Sequence, residues 1–245
     1  MSSQATFATW KSTLSALMVL LLIQSFAVAF TFERINKDDA ALLVVDHQVG
    51  LFHLARDWQP DQYRNNMLAH AAIGKVFDLP TILTTSAETG PNGPLPKEIV
   101  EMHPDAPLIK RNGEVNAWDN EDFRNAVEAT GKKQVIVAGI TTDVCVVFVA
   151  LSLREAGYTV FVNSDASGTF DVKTANEAND RMRDAGVHVL SQFAVATDLM
   201  RDWRNTPGAP EMLPFFDQYL SAYAFVARGH RAAVLNGTIL EGENA

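Results

Sequence analysis

The residue most suited to covalent chemistry is Cys145, the only cysteine among the 245 residues of the chain. A lone thiol cannot form a disulfide within its own chain, which favours a reactive role. It ends the run VIVAGITTDVC, in which an apolar strand breaks at Gly139 and a helix begins. Because unpaired N–H groups at a helix N-terminus favour a thiolate, this position predicts a usable nucleophile. Burial as a structural core residue is the alternative.

Two charged side chains, Asp46 and Lys110, also close apolar runs that are predicted to be strands. Asp46 ends ALLVVD, and Lys110 ends PLIK. In an open parallel sheet, ligands bind outside the carboxyl ends of the strands, so these two residues and Cys145 should meet there. A carboxylate beside a thiol can take its proton, and a nearby ammonium group favours the thiolate. The alternatives are a turn-forming aspartate and a solvated lysine.

The elements that would position these side chains alternate between apolar runs and amphipathic stretches. This pattern is typical of parallel strands buried on both faces and joined by crossover helices. The sequence therefore predicts an α/β, three-layer Rossmann-like fold with a six-stranded, mainly parallel sheet flanked by helices. Strands are predicted at 41–45, 81–84, 107–109, 135–138, 159–163 and 187–190, and helices at 62–78, 120–130, 143–156, 173–185 and 194–203.

The predicted helix that carries Cys145 is apolar nearly all round, in the run VCVVFVALSLREAG. Such a helix must be covered on every side. The sheet covers one side, and the other predicts either a subunit interface or burial beneath a neighbouring helix of the same chain. Residues 206–245 are predicted to form a C-terminal extension with one helix, at about 213–227.

The charge pattern argues against nucleic acid as a partner, because the net charge is -9 and no basic footprint appears. The N-terminus differs from the rest of the chain. Lys11 precedes an uncharged stretch at 14–30 that ends in small residues, which is the layout of a signal peptide over residues 1–29. We therefore expect a secretory or extracellular location. The alternative is membrane anchoring through residues 12–32, since this span is long enough to cross a bilayer.

Several motifs together resemble the isochorismatase-like cysteine hydrolases, and within them the YcaC-type subgroup. They are LLVVDHQVGLF, LPTILTTSAETGPNGPL, NAWDNEDF, VIVAGITTDVCV, SDASGTF and the RDWRN ending. The resemblance covers residues 35–205, which are therefore predicted to be the hydrolase domain. It implies multimers larger than dimers.

The resemblance implies a catalytic triad of Asp46, Lys110 and Cys145. In the family the cysteine attacks a carbonyl group, the aspartate accepts the thiol proton and the lysine assists the charge arrangement. It also implies a cis peptide bond between Ile140 and Thr141, with the N–H groups of Thr141 and Cys145 as the oxyanion hole. The weaker candidates for substrate-binding residues are Gln48, Thr85, Asn116 and Trp118.

No cofactor is predicted. The nicotinamidase branch of the superfamily carries a metal site in the loop after its second strand, but the stretch TTSAETGPNGPLP contains neither histidine nor aspartate. The six histidines show no HxH or HExxH spacing, so we predict no metal site. His47 adjoins Asp46, but strand alternation would direct the two side chains to opposite faces of the sheet. We expect His47 to be a packed residue rather than a ligand.

The sequence thus predicts a metal-free cysteine hydrolase that cleaves a small amide or related C–N bond in a small-molecule substrate. Two alternatives remain open. One is the vinyl ether hydrolysis of true isochorismatases, which can dispense with a cysteine nucleophile. The other is a homo-oligomeric binding or scaffold protein without activity. Fold analogy cannot supply the substrate.

Overall fold

The structure, a computed structural model, describes residues 31–238. Its sheet has six strands, each parallel to its neighbours, in the order β3-β2-β1-β4-β5-β6. The predicted α/β class and the sheet of six strands are confirmed. The strands are β1 (Ala40–Val45), β2 (Thr81–Ser86), β3 (Leu108–Arg111), β4 (Gln134–Gly139), β5 (Thr159–Asn163) and β6 (His188–Leu190).

Helices cover both faces of the sheet. Strand β1 shows this, because it is buried throughout and its side chains alternate between two apolar clusters. Leu42 and Val44 belong to one cluster, whereas Leu43 and Val45 belong to the other. The helices are α1 (Pro60–Val76), α2 (Lys97–Met102), α3 (Glu121–Ala129), α4 (Val147–Glu155), α5 (Val172–Asp184), α6 (Gln192–Met200), α7 (Ala209–Tyr219) and α8 (Ser221–Leu235).

Two features of the helices differ from the sequence-based prediction. The six-residue helix α2 was not predicted, because a helix this short shows too little periodicity. In its described part, residues 206–238, the C-terminal extension contains two helices instead of one, because the chain leaves helical geometry at Leu220, where φ is -134° and ψ is 61°. Helix α7 packs against α1, so the extension contributes to the same apolar cluster as α1 and α6.

The apolar helix α4 lies against the sheet and is also covered by its own chain. Its side chains Val147, Val149 and Leu153 are buried, and helix α5 packs beside them. Phe148 is half-buried, with the guanidinium of Arg181 from α5 5.8 Å from the centre of its ring. Helix α5 of the same chain therefore covers part of this side of α4, and the subunit interface that the sequence also offered here stays a prediction.

The predicted signal peptide, residues 1–29, lies outside the described residues. So does the predicted membrane anchor as far as residue 30. Within residues 31–238, no helix combines the length and the hydrophobicity that crossing a bilayer requires.

Candidate active site

Asp46 lies at the carboxyl end of β1, where the backbone turns away from the sheet with a φ of 56°. An aspartate tolerates this left-handed conformation better than a bulky residue does. Its carboxylate is completely buried and accepts hydrogen bonds from the Nη2 of Arg111 at both oxygens. Burial raises the pKa of Asp46 above its ordinary value, and the positive charge of Arg111 opposes that rise.

Arg111 is the last residue of β3, and its buried guanidinium is held by the protein on every side. Its Nε donates to the Oγ1 of Thr84 over 3.0 Å, and its Nη1 donates to the backbone carbonyls of Glu114 and Val115. The Thr84 hydroxyl in turn donates to the carbonyl of Ile109. Since these bonds and the two to Asp46 occupy the guanidinium N–H groups, Arg111 is suited to fixing Asp46 rather than to binding substrate.

Lys110 lies elsewhere, which corrects the charge partner expected from the sequence. Its Nζ pairs with the Oε1 of Glu88 at 2.5 Å, and 59% of the Lys110 side chain is exposed. The reason is the pleat of β3, which directs successive side chains to opposite faces. Ile109 packs on the same apolar cluster as Cys145, so Arg111, two residues later, shares that face and Lys110 does not. Alternation along LIKR was therefore the signal that could have identified Arg111.

Cys145 lies in a π-helical turn, Thr142–Val146, that precedes α4. In this turn the N–H of Val146 donates to the carbonyl of Thr141, five residues earlier. The thiol is half-buried, and it lies close enough to the Asp46 carboxylate and to the backbone N–H of Thr141 for both groups to shift its pKa. The site thus brings together Cys145, Asp46 and Arg111.

The expectation of a thiolate stabilised by the helix N-terminus is wrong for the resting site. Burial, followed by the negative charge of Asp46 and its hydrogen bond, raises the pKa of Cys145 to about 12. The bond from the Thr141 N–H and the charge of Arg111 act in the opposite direction but are weaker. The thiol is therefore protonated at neutral pH, and any nucleophilic role requires its proton to leave during attack.

The backbone leading to Cys145 passes very close to β1. A Cβ at Gly139 would lie 2.0 Å from the carbonyl oxygen of Val45, so only glycine fits where these two strand ends meet. The peptide bond between Ile140 and Thr141, for which the resemblance implied a cis form, is cis in the structure. This segment sets the Thr141 N–H beside the sulfur.

The four weaker candidates are bonded to neighbouring parts of their own chain. The amide of Gln48 bonds to the backbone of Ser86 and to the carbonyl of Gly93, which fixes the loop after β2. Thr85 donates to Glu88 on the face that carries Lys110. These partners describe structural roles for Gln48 and Thr85.

Asn116 and Trp118 stabilise a turn beside α4. The Asn116 side chain accepts from the N–H of Trp118 and donates to the hydroxyl of Ser152. The Trp118 ring packs edge-on against Phe123 and Tyr158. No hydrogen bond joins either residue to the three site side chains in the described part of the chain.

His47 turns to the face opposite Asp46, as strand alternation predicted. It is fully buried, its Nε2 bonds to the carbonyl of Ala166 at 2.8 Å, and its ring lies beside those of Tyr63 and His70. Burial lowers the pKa of His47 to about 4, so the ring is neutral at neutral pH. Across residues 31–238, no group of three or more His, Cys, Asp or Glu side chains could hold a metal ion.

Comparison with known proteins assigns the chain to a family. The model of the isochorismatase domain matches residues 40–193, more than half of the chain. The chain belongs to the isochorismatase family. The probable hydrolase YcaC of Escherichia coli is 57% identical over 174 residues, which cover 71% of this chain and 84% of YcaC. The chain is thus an isochorismatase-like hydrolase.

Two solved structures of this family are similar over nearly their whole length. YcaC from Pseudomonas aeruginosa, with hexane-2,5-diol and covalent acrylamide, is 51% identical, has a TM-score of 0.80, and covers 82% of this chain and 99% of its own. YcaC from Escherichia coli, an octameric hydrolase of unknown specificity, is 50% identical with a TM-score of 0.80, at 83% and 99% coverage.

Proposed function

We propose that this protein is a metal-free cysteine hydrolase that cleaves a small amide or related C–N bond through a thioester. The observation that carries the proposal is the Cys145 thiol beside the buried Asp46 carboxylate, with Arg111 holding that carboxylate. A nucleophile joined to a base, which a third group orients, is the arrangement that covalent catalysis uses.

In the first step the Cys145 sulfur attacks the amide carbonyl carbon while its proton passes to Asp46. The raised pKa of Cys145 makes an early, separate ionisation unfavourable, so proton transfer accompanies formation of the carbon–sulfur bond. The raised pKa of Asp46 makes that carboxylate a stronger base than a solvated one. Arg111 keeps it charged and oriented for this transfer.

The tetrahedral intermediate carries its negative charge on the former carbonyl oxygen. The backbone N–H groups of Thr141 and Cys145 are the proposed donors to that oxygen, a contribution of about 3 to 4 kcal/mol per donor in comparable sites. The intermediate then collapses as the carbon–nitrogen bond breaks, and the leaving amine takes the proton from Asp46. A thioester on Cys145 remains.

In the second step Asp46 takes a proton from water, which attacks the thioester carbon. The carbon–sulfur bond breaks, the sulfur recovers the proton, and the carboxylic acid leaves. The Pseudomonas relative supports a reactive nucleophile in this family. It holds covalent acrylamide, a primary amide whose double bond reacts with nucleophiles such as thiols.

Three further parts of the proposal concern the whole protein. We propose a homo-oligomer, because the octameric relative from Escherichia coli shares half of its residues with this chain. We also propose entry into the secretory pathway through residues 1–29, with membrane anchoring as the alternative. The absence of a metal requirement is supported by the loop after β2, where the stretch TTSAETGPNGPLP contains no histidine or aspartate.

The test is ammonia release from a panel of small primary amides by the wild-type protein and by the Cys145→Ala variant. We expect turnover of at least one amide, and a loss of at least about 10⁴-fold in the variant, because the nucleophile is absent. Thr142→Ala, one turn away in the same π-helical segment, is the control and should retain activity. Hydrolysis that survives Cys145→Ala would exclude the thioester route.

A further inference from the structure

The C-terminal helix α8 carries an unusual amount of apolar surface for a helix on the outside of a protein. Phe225 is 71% exposed and Val226 is 67% exposed. Ala222, Gly229 and Ala232 are also exposed. At 100° per residue these five positions fall within about 120° of the helix circumference, and they form one apolar stripe. We call them the α8 stripe.

The α8 stripe lies opposite the side of the helix that packs on the chain's own body. Ala224 is buried on that inner side, and Tyr223 is half-buried against the aromatic cluster of Phe216 and Trp203. A helix on the surface of a monomer normally presents polar residues outward. Helix α8 is apolar on both sides, which indicates that a second surface covers it.

The stripe is shaped for close contact. Phe225 and Val226 project from it, whereas Ala222, Gly229 and Ala232 leave a shallow strip between and beside them. A Cβ at Gly229 would meet no atom within 4 Å, so the glycine is not required by packing within the chain. Glycine in a helix interior lowers helix stability, and at an exposed position it would let another backbone approach closely. Arg228, at the edge of the stripe, is neutralised by Asp217 of α7.

We infer that the α8 stripe is a contact between copies of this chain, an inference that rests on the proposed homo-oligomer. The Escherichia coli relative is octameric, and its structure matches 83% of this chain and 99% of its own. Helix α4, the other strongly apolar helix, is covered in part by its own chain and does not offer a comparable surface.

The size of the stripe fits one contact within a larger assembly. A helix of 15 residues is roughly 22 Å long, so its outer stripe covers only a few hundred Å². A stable pairwise interface buries about 800 Å² on each partner. The stripe alone is therefore too small for a stable pairwise interface, and the inferred contact must also include neighbouring elements.

Sedimentation velocity of the Phe225→Glu variant tests this inference. We expect the variant to sediment as smaller species than the wild type, or its oligomer to have a dissociation constant at least about tenfold higher. The reason is that assembly would bury a charge at the contact. Val172→Glu is the matched control, since Val172 is 59% exposed at the start of α5, and its assembly should not change. Circular dichroism confirms that both variants fold.

A second variant identifies the occupant directly. Val226→Cys, made in a Cys145→Ala background so that it is the only thiol, should form a covalent dimer on oxidation, whereas Val172→Cys in the same background should not. Unchanged assembly of Phe225→Glu together with no cross-link at position 226 would overturn the inference.

Two other results would also overturn the inference, and a third bears only on the proposed hydrolase activity. If Phe225→Glu loses flotation with vesicles of equal parts phosphatidylcholine and phosphatidylglycerol while its assembly is unchanged, the stripe binds a membrane surface instead. A monomeric wild type would contradict both the oligomer and this contact. Absence of ammonia release from an assembled wild type would contradict only the hydrolase proposal.

Discussion

Two neighbouring residues of β3 make ion pairs in opposite environments. Arg111 and Asp46 are both fully buried, whereas Lys110 and Glu88 have 59% and 17% of their side chains exposed. A buried charge without a partner is very unfavourable, so the first pair holds both of its members in place. A solvated pair contributes little, because water screens it and side-chain entropy opposes it. Burial, rather than the presence of an ion pair, therefore identifies the pair that belongs to the site.

The largest effect should come from Arg111→Met, which leaves the Asp46 carboxylate buried and unpaired. We expect a loss of about 3 to 5 kcal/mol in the free energy of unfolding, measured in urea at fixed protein concentration. Amide hydrolysis should fall as well, because Asp46 loses the group that orients it. Arg111→Lys is the informative companion. It retains a positive charge, and should recover part of both losses. Equal values for Met and Lys at position 111 would contradict a role for the charge.

The second effect concerns the thiol pKa, which the Asp46 charge raises. Asp46→Asn removes that charge, so the pKa of Cys145 should fall from about 12 toward its ordinary value of 9.0. The pH dependence of the rate at which iodoacetamide alkylates the thiol follows this directly, because Cys145 is the only cysteine. Glu88→Gln removes a carboxylate from the exposed pair and should leave the titration unchanged. An identical thiol titration in the wild type and in Asp46→Asn would show that the charge of Asp46 does not act on Cys145.

The same carboxylate makes stability and activity respond to pH in opposite directions. The folded pKa of Asp46 lies above its ordinary value of 3.8, so the folded protein holds this proton to higher pH than the unfolded chain does. Its contribution to stability is therefore present below about pH 4 and declines as pH rises through the folded pKa. Hydrolysis needs the deprotonated form and should increase over that same range. In Asp46→Asn, this part of the pH dependence of unfolding should disappear.

A smaller effect is expected at Thr84, whose hydroxyl accepts from the Nε of Arg111. Thr84→Val keeps the shape but leaves that buried donor without its partner, which costs about 1 to 3 kcal/mol of stability. Thr81→Val is the matched control on the same strand. Its hydroxyl donates to the carbonyl of Leu79, and Thr81 lies three residues before Thr84 on the same strand. Activity should fall in Thr84→Val and not in Thr81→Val, as initial rates with the same amide would show.

The sequence predicted Asp46 and Cys145 because both follow long apolar runs, whose periodicity also predicted the sheet. It did not predict Arg111, since strand β3 has only four residues and its facing is set by neighbours in the sheet. The raised thiol pKa could not be predicted either. It depends on the burial of the sulfur and its contact with Asp46, whereas the position in the sequence indicated only a helix start. Local pattern thus located the residues, and tertiary packing determined their charge states.

The smallest effect should come from Lys110→Met, which removes the cation of the exposed ion pair. The Lys110–Glu88 pair is screened by water, so the free energy of unfolding should change by about 0 to 1 kcal/mol. Hydrolysis should remain close to wild type, because the pleat directs Lys110 away from the face that carries Cys145. Steady-state rates and urea unfolding, measured beside Arg111→Met, provide both readouts. A loss of activity in Lys110→Met as large as that in Arg111→Met would restore lysine to the triad and remove burial as the criterion for the site.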